Sequence, residues 1–202
     1  MRILPTTLLA ASCLTAPTAA WATDPTITDK ARGVFERAYP DLCDQGINTE
    51  WLSAMEPITE IVTLPPAYEG GEEEALYLYG FGCSSGAYNL QTVWFVADIY
   101  GTFEPLAFAH PDAEYDYADD DSAVLASHHI TGWTAGVTVT GASYDPETRT
   151  LTSNAKWRGL GDARATGEWV LGHEGFTLRR YRVDPTFDGE VDGFVTLYDA
   201  GG

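Results

Sequence analysis

Apolar and polar positions follow two periods along this chain, one confined to its beginning. From Thr28 to Tyr39 the residues Ala31, Val34, Phe35, Ala38 and Tyr39 recur at helical spacing and share one face. Thr28 can cap such a helix, Asp29 suits its first turn, and Pro40 ends it. Farther on the period becomes two. Leu76-Tyr77-Leu78-Tyr79, Val93-Trp94-Phe95-Val96 and Val137-Thr138-Val139 are short β-branched or aromatic runs bounded by glycine or acids, which predicts strands. Segments 65–74, with two prolines, two glycines and four acids, and 110–122, with six acids, are expected to be loops.

The last third predicts two hairpins. Tyr144 to Arg149, with Pro146 suited to a turn, separates Gly141-Ala142-Ser143 from Leu151-Thr152-Ser153. Gly172-His173-Glu174-Gly175 separates Trp169-Val170-Leu171 from Phe176-Thr177-Leu178. No internal repeat is visible. Short strands at close spacing imply a mainly β fold, an antiparallel β-sandwich or half-barrel with one short N-terminal helix.

Composition narrows the class of partner. The 202 residues include 30 Asp and Glu against 11 Lys and Arg, a formal charge of -19, and 12% are aromatic. Nucleic acid and anionic lipid need a basic footprint, so both are poor partners. The charge is unevenly placed. Residues 38–148 hold 19 acids and no Lys or Arg, whereas 149–182 holds seven bases against Asp162, Glu168 and Glu174. The two blocks can pack together as complementary surfaces, or the acidic one can face a cationic partner. The scarcity of lysine, two of the 11 bases, together with acidity also fits adaptation to salty surroundings.

Arg2, an apolar run from Ile3 to Leu14, and Ala20-Trp21-Ala22 have the order of a removable signal peptide over 1–22. The expectation is one mature β-rich domain over 23–202, exported to the periplasm or secreted, with a helix at about 28–39 ahead of the strands. No stretch approaches the roughly 20 apolar residues of a transmembrane helix. Lipid anchoring through Cys13 is the competing reading, although leucine stands one place too far from the cysteine for a good lipobox. Cleavage after Ala22 discards Cys13 and leaves Cys43 and Cys83, which an oxidising compartment would join in a disulfide. A two-cysteine metal site is the alternative, and no histidine lies at ligand spacing from either cysteine.

Cys83-Ser84-Ser85-Gly86-Ala87-Tyr88-Asn89 resembles a signature of the bacterial family known as domain of unknown function 1176. Tyr144-Asp145, Leu151-Thr152-Ser153, Arg158-Gly159-Leu160-Gly161-Asp162, Gly167-Glu168-Trp169-Val170 and Phe176-Thr177-Leu178 resemble its C-terminal signature. The resemblance spans about 76–198. It implies an exported cell-envelope protein of mainly β architecture and assigns no reaction or catalytic residue. In the family pattern a cysteine follows the arginine-to-aspartate run and pairs with another beyond the second hairpin. Here Ala163 stands in that place and no cysteine follows Cys83.

Several motifs invite chemistry. Gly82-Cys83-Ser84-Ser85-Gly86 matches the nucleophile elbow of serine hydrolases, with acids in 112–121 and His128 following in suitable order, but an elbow needs a strand, a sharp turn and a helix. The competing reading is a glycine-rich turn beside a structural disulfide. His128 and His129 are adjacent, so on a strand they point to opposite faces; His110 and His173 fall in predicted loops. With 30 acids, carboxylate pairs spaced for glycoside hydrolysis arise by chance. Six tryptophans and eleven tyrosines could form a sugar-stacking face, or simply fill a sandwich core.

Asp188, Glu190, Asp192, Phe194, Thr196 and Asp199 stand at positions 1, 3, 5, 7, 9 and 12 of a calcium loop, with Gly193 at position 6. Against that reading, position 12 is Asp, position 4 is occupied by Val191, and the same residues read as an acidic turn entering a final strand, Phe194 to Tyr198. Asp112, Glu114, Asp116 and Asp119 form a second acidic stretch without the glycine. With calcium the sole cofactor in question and no convergent catalytic set, the sequence points to a non-enzymatic domain that binds an envelope component or small ligand. A hydrolase using Ser84 and a calcium-stabilised domain are the alternatives.

Overall fold

The computed structural model describes residues 25–191 and 193–201. The signal segment 1–22, Cys13 and Asp192 lie outside these residues. Helix α1 covers Pro25–Ala38, beginning three residues earlier than its amphipathic pattern predicts. Ala31 and Phe35 of the expected face are buried, and Tyr39 packs on Phe95. Two single-turn helices absent from the sequence reading follow, α2 (Asp44–Asn48) and α3 (Glu50–Ser53). Each is too short to develop a periodic stripe. Among the described residues no helix is long and apolar enough to cross a membrane.

Two antiparallel five-stranded sheets form a sandwich rather than a closed barrel. The first runs β1 (Ile58–Leu64), β2 (Glu74–Ser85), β3 (Leu90–Ala97) and β4 (Phe103–Pro105). Between β4 and the next member of this sheet the chain leaves as a long two-stranded ribbon, β5 (Phe108–Tyr117) and β6 (Leu125–Gly136). It returns as β7 (Thr138–Thr140), which pairs with residues 91–93 of β3 while β4 pairs with 95–97. The second sheet has the order β12-β11-β10-β9-β8, from β8 (Ser143–Asp145), β9 (Thr150–Lys156), β10 (Arg164–Gly172), β11 (Gly175–Asp184) and β12 (Val195–Asp199). Both predicted hairpins are present in register, Tyr144 opposite Leu151 and Leu171 opposite Phe176.

The first sheet is buried on both faces, which explains the near-continuous apolar run of β2. Leu76 and Leu78 join Trp94, Leu151, Trp169, Leu171 and Phe176 in the core between the sheets. Tyr79, Phe81 and Cys83 point the other way, into a second core under the helices with Ala31, Phe35 and Cys43. Trp94 stands directly across from Gly80, and a Cβ on Gly80 would lie 2.8 Å from the indole, so only glycine leaves room for the ring. The indole N–H donates to Thr92 Oγ1 at 2.8 Å and Thr92 donates to the Val139 carbonyl, so the buried polar atoms are satisfied. On the helix side, α2 reaches the backbone of β2 through Gly46, where a Cβ would collide with the Gly82 carbonyl.

One expectation is corrected here. Residues 110–117 are not a loop but most of β5. Ala113 and Tyr115 pack on the second sheet while Glu114 and Asp116 face solvent, a period of two hidden by acid density and Pro111. His110 therefore lies on a strand. The acidic and basic blocks do meet, with β5 packed on β11 through Ala113, Tyr115 and Tyr181. Among the described residues every arginine ion pair is local to the C-terminal third: Arg158 with Asp162, and Arg180 with Glu168 and Asp199.

Candidate functional site

Cys43 and Cys83 are joined in the expected disulfide, which ties the approach to α2 onto β2. Ser84, one residue on, is still in β2. It lies opposite Gln91 of β3 and its hydroxyl donates to Gln91 Oε1 at 2.6 Å. The Ser85 N–H donates to Gln45 Oε1 of α2. The chain then turns into β3, so strand–turn–strand replaces the strand–turn–helix of a nucleophile elbow. The histidines have other neighbours: His110 meets Asp112, His129 meets Glu114, and His173 meets Glu74. His128 lies on β6 opposite Tyr115. The bland reading, a pinned turn beside a disulfide, fits this geometry.

Of the calcium register, Asp192 lies outside the described residues, and the others have partners of their own. Asp188 accepts the Glu190 N–H, a local turn, and Asp199 pairs with Arg180 from within β12. Thr196 lies in β12 opposite Arg182. The ring of Phe194 sits under two guanidinium groups, Arg164 at 4.7 Å and Arg182 at 5.0 Å from its centroid. Among the described residues no three His, Cys, Asp or Glu side chains converge, in this segment or around Asp112, Glu114, Asp116 and Asp119.

What the structure brings together is the pair of signature segments. After the β2–β3 turn, the Asn89 amide donates to the Lys156 carbonyl at 2.7 Å and accepts the Lys156 N–H at 3.2 Å. The Tyr88 hydroxyl donates to the next carbonyl, that of Trp157. The segment from Arg158 to Asp162 then forms a tight turn closed by Gly161 N–H to the Arg158 carbonyl. Asp162 is fully buried. Its carboxylate receives Arg158 through two nitrogens and the Gly189 N–H at 3.0 Å, while Arg158 also donates to the Phe187 carbonyl. Hydrogen bonding from Arg158 holds the Asp162 carboxyl well below the usual carboxylate range, outweighing the opposing effect of burial. A second buried carboxylate, Asp184, accepts from the Thr186 N–H and hydroxyl and from the Gly193 N–H at 2.9 Å. Ala163 is buried, and the segment after β11 is held by these two carboxylates.

This bracing presents an apolar ledge. Tyr88, Trp157 and Leu160 are 45%, 40% and 63% exposed. The edge of the Tyr88 ring lies beside Gly159, 3.5 Å from where a Cβ would stand. Trp157 meets Tyr115 edge-on at 6.0 Å and Phe187 at 6.4 Å, so its orientation is fixed from beneath. In the sequence Tyr88 and Leu160 stand out only as members of the two signature segments, and Trp157 does not stand out at all. The usable signal was that large apolar side chains recur inside glycine-rich turns, where burial is difficult.

No curated protein and no solved structure matches the chain. A family described as protein of unknown function matches residues 71–194, which include the first eleven strands except β1 and take in both signature segments. The chain therefore belongs to the DUF1176 family.

Proposed function

We propose that this protein is an exported, non-enzymatic domain of the cell envelope that binds a partner through Tyr88, Trp157 and Leu160. The observation that carries the reading is their position, exposed at the meeting point of the two signature segments and braced by Asn89 and the Arg158–Asp162 pair. Apolar side chains on an exposed turn contribute little to folding, whereas a preorganised aromatic surface lowers the entropy cost of association. The disulfide and the signal-like segment 1–22 favour an oxidising compartment, with 23–202 as the mature domain. A formal charge of -19 argues against nucleic acid.

The reading is tested by placing a photoreactive residue at Leu160, or at Tyr100 as an exposed control, in cells that produce the protein. A discrete cross-linked product from position 160, missing from position 100 and lost with Trp157→Ala, supports the ledge. The same product from both positions, or none from 160, overturns it.

A further inference from the structure

The outer face of the second sheet gathers three cations on adjacent strands. Alternation along β10 turns Ala165, Trp169 and Leu171 into the core, so Arg164, Thr166 and Glu168 share the outer face. Lys156 of β9 stands directly opposite Arg164, and Arg182 of β11 directly opposite Thr166. The guanidinium carbons of Arg164 and Arg182 lie 4.7 Å and 5.0 Å from the centroid of one ring, Phe194, so their separation cannot exceed the sum of those two distances. The neighbouring acids on these strands are committed elsewhere. Asp184, across from Arg164, accepts from Thr186 and Gly193, while Glu168 and Asp199, one row farther along, both pair with Arg180. Among the described residues Lys156, Arg164 and Arg182 form no ion pair, and the one hydrogen bond from either guanidinium runs from Arg164 to the Val191 carbonyl. The Nε of both arginines and the Oγ1 of Thr166 are buried without a hydrogen-bond partner. Like charges on neighbouring strands repel, and a half-buried guanidinium without acceptors is costly. In a chain with 30 acids and 11 bases, such a cluster is left in want of an anion.

We infer that Lys156, Arg164 and Arg182 form a binding site for a tetrahedral oxyanion, a phosphate or sulfate group. The Phe194 ring restrains both guanidinium groups, so less side-chain freedom is lost when they close on an anion. Guanidinium forks match the oxygens of such a group in pairs, and Lys156 adds a third positive charge at the next strand. The oxyanion supplies the acceptors that the fold withholds from Arg182. Charge balance selects a dianion over a carboxylate, which would leave two of the three cations unneutralised. The site takes one anionic group on one face of the sheet and does not amount to the extended basic footprint that nucleic acid needs.

The test uses the full mature chain at low ionic strength, where charge contacts are least screened. The probes are inorganic phosphate, methyl phosphate and acetate, followed by calorimetry and by amide chemical shifts. The expected result is saturable one-to-one binding of phosphate, with shifts at Thr166, Arg182 and Phe194, and acetate weaker by about tenfold. Methyl phosphate binding as well as phosphate marks a group carried on a larger molecule, and a preference for inorganic phosphate marks the free ion. Arg182→Gln, which removes no hydrogen bond among the described residues, should weaken phosphate by about tenfold. Lys30→Gln, the same change of charge on α1, should leave the affinity as it was. Thr196→Asp places a carboxylate directly across from Arg182 and should displace phosphate while keeping or raising the urea midpoint, so that lost binding is not lost folding. Trp157→Ala should leave phosphate binding unchanged, which separates this site from the ledge. Absence of saturable binding, equal weakening by Lys30→Gln, acetate as tight as phosphate, or undiminished binding in Thr196→Asp would each overturn the inference.

Discussion

The side chain of Asn89 pairs with both the N–H and the carbonyl of Lys156, 67 residues farther along the chain. It thereby completes for β9 the hydrogen bonds that a neighbouring strand would otherwise supply. An asparagine amide is the shortest side chain offering a donor and an acceptor side by side, so Asn89→Ala leaves two backbone groups without partners. Urea denaturation should show a loss of about 1–3 kcal/mol. Lys156→Ala should change stability by under about 0.5 kcal/mol, because only the backbone of Lys156 takes part.

The Asp162 carboxylate should make the fold acid-sensitive in a defined window. Its folded-state pKa is depressed by Arg158, so the unfolded chain binds the proton more readily. The contribution is present in full above the unfolded value near about 4 and is lost as pH falls from there through the depressed folded value. Asp162→Asn should be destabilised at neutral pH and show a flatter decline below about pH 4 than the parent protein. Thermal melts from pH 7 to pH 2 read both effects; parallel curves for the two proteins would contradict the assignment.

Removing the disulfide has a calculable cost. Cys43 and Cys83 are 40 residues apart, and closing a loop of that length restrains the unfolded chain by about 4 kcal/mol in the chain-entropy view. Cys43→Ser/Cys83→Ser should unfold at correspondingly lower urea, and reductant should lower the parent protein's midpoint without moving that of the variant.

The space over Gly80 belongs to Trp94. Gly80→Ala puts a methyl group within 2.8 Å of an indole that is fully buried between the sheets. Overpacking of this kind should cost about 1–3 kcal/mol, and the red-shifted emission of a displaced tryptophan would report it. Gly70→Ala provides the contrast: no atom lies within 4 Å, so any loss there comes from its positive φ of 81° alone.

The sheet layout was legible where alternation or turn chemistry was local. Leu76 to Tyr79, the Pro146 turn and the Gly172–Gly175 connection all appear in the structure as the sequence implies. Strand β5 was hidden because Glu114 and Asp116 occupy its solvent face and make a regular strand resemble an acidic loop. The placing of the Phe194 ring under Arg164 and Arg182 was equally hidden, since these arginines come from β10 and β11. The ledge was illegible for a related reason. Tyr88 and Trp157 are brought together by a pairing between distant segments, and no periodicity records such a contact.

The account holds that the ledge serves binding and not folding, and Leu160→Ser tests it most directly. The substitution is made in protein carrying a photoreactive residue at position 88, with denaturation midpoint and cross-linking yield read from the same preparation. The account predicts a midpoint within about 0.5 kcal/mol of the parent and a strongly reduced yield of the cross-linked product. An unchanged yield, or a loss of yield fully explained by a lower midpoint, would contradict it.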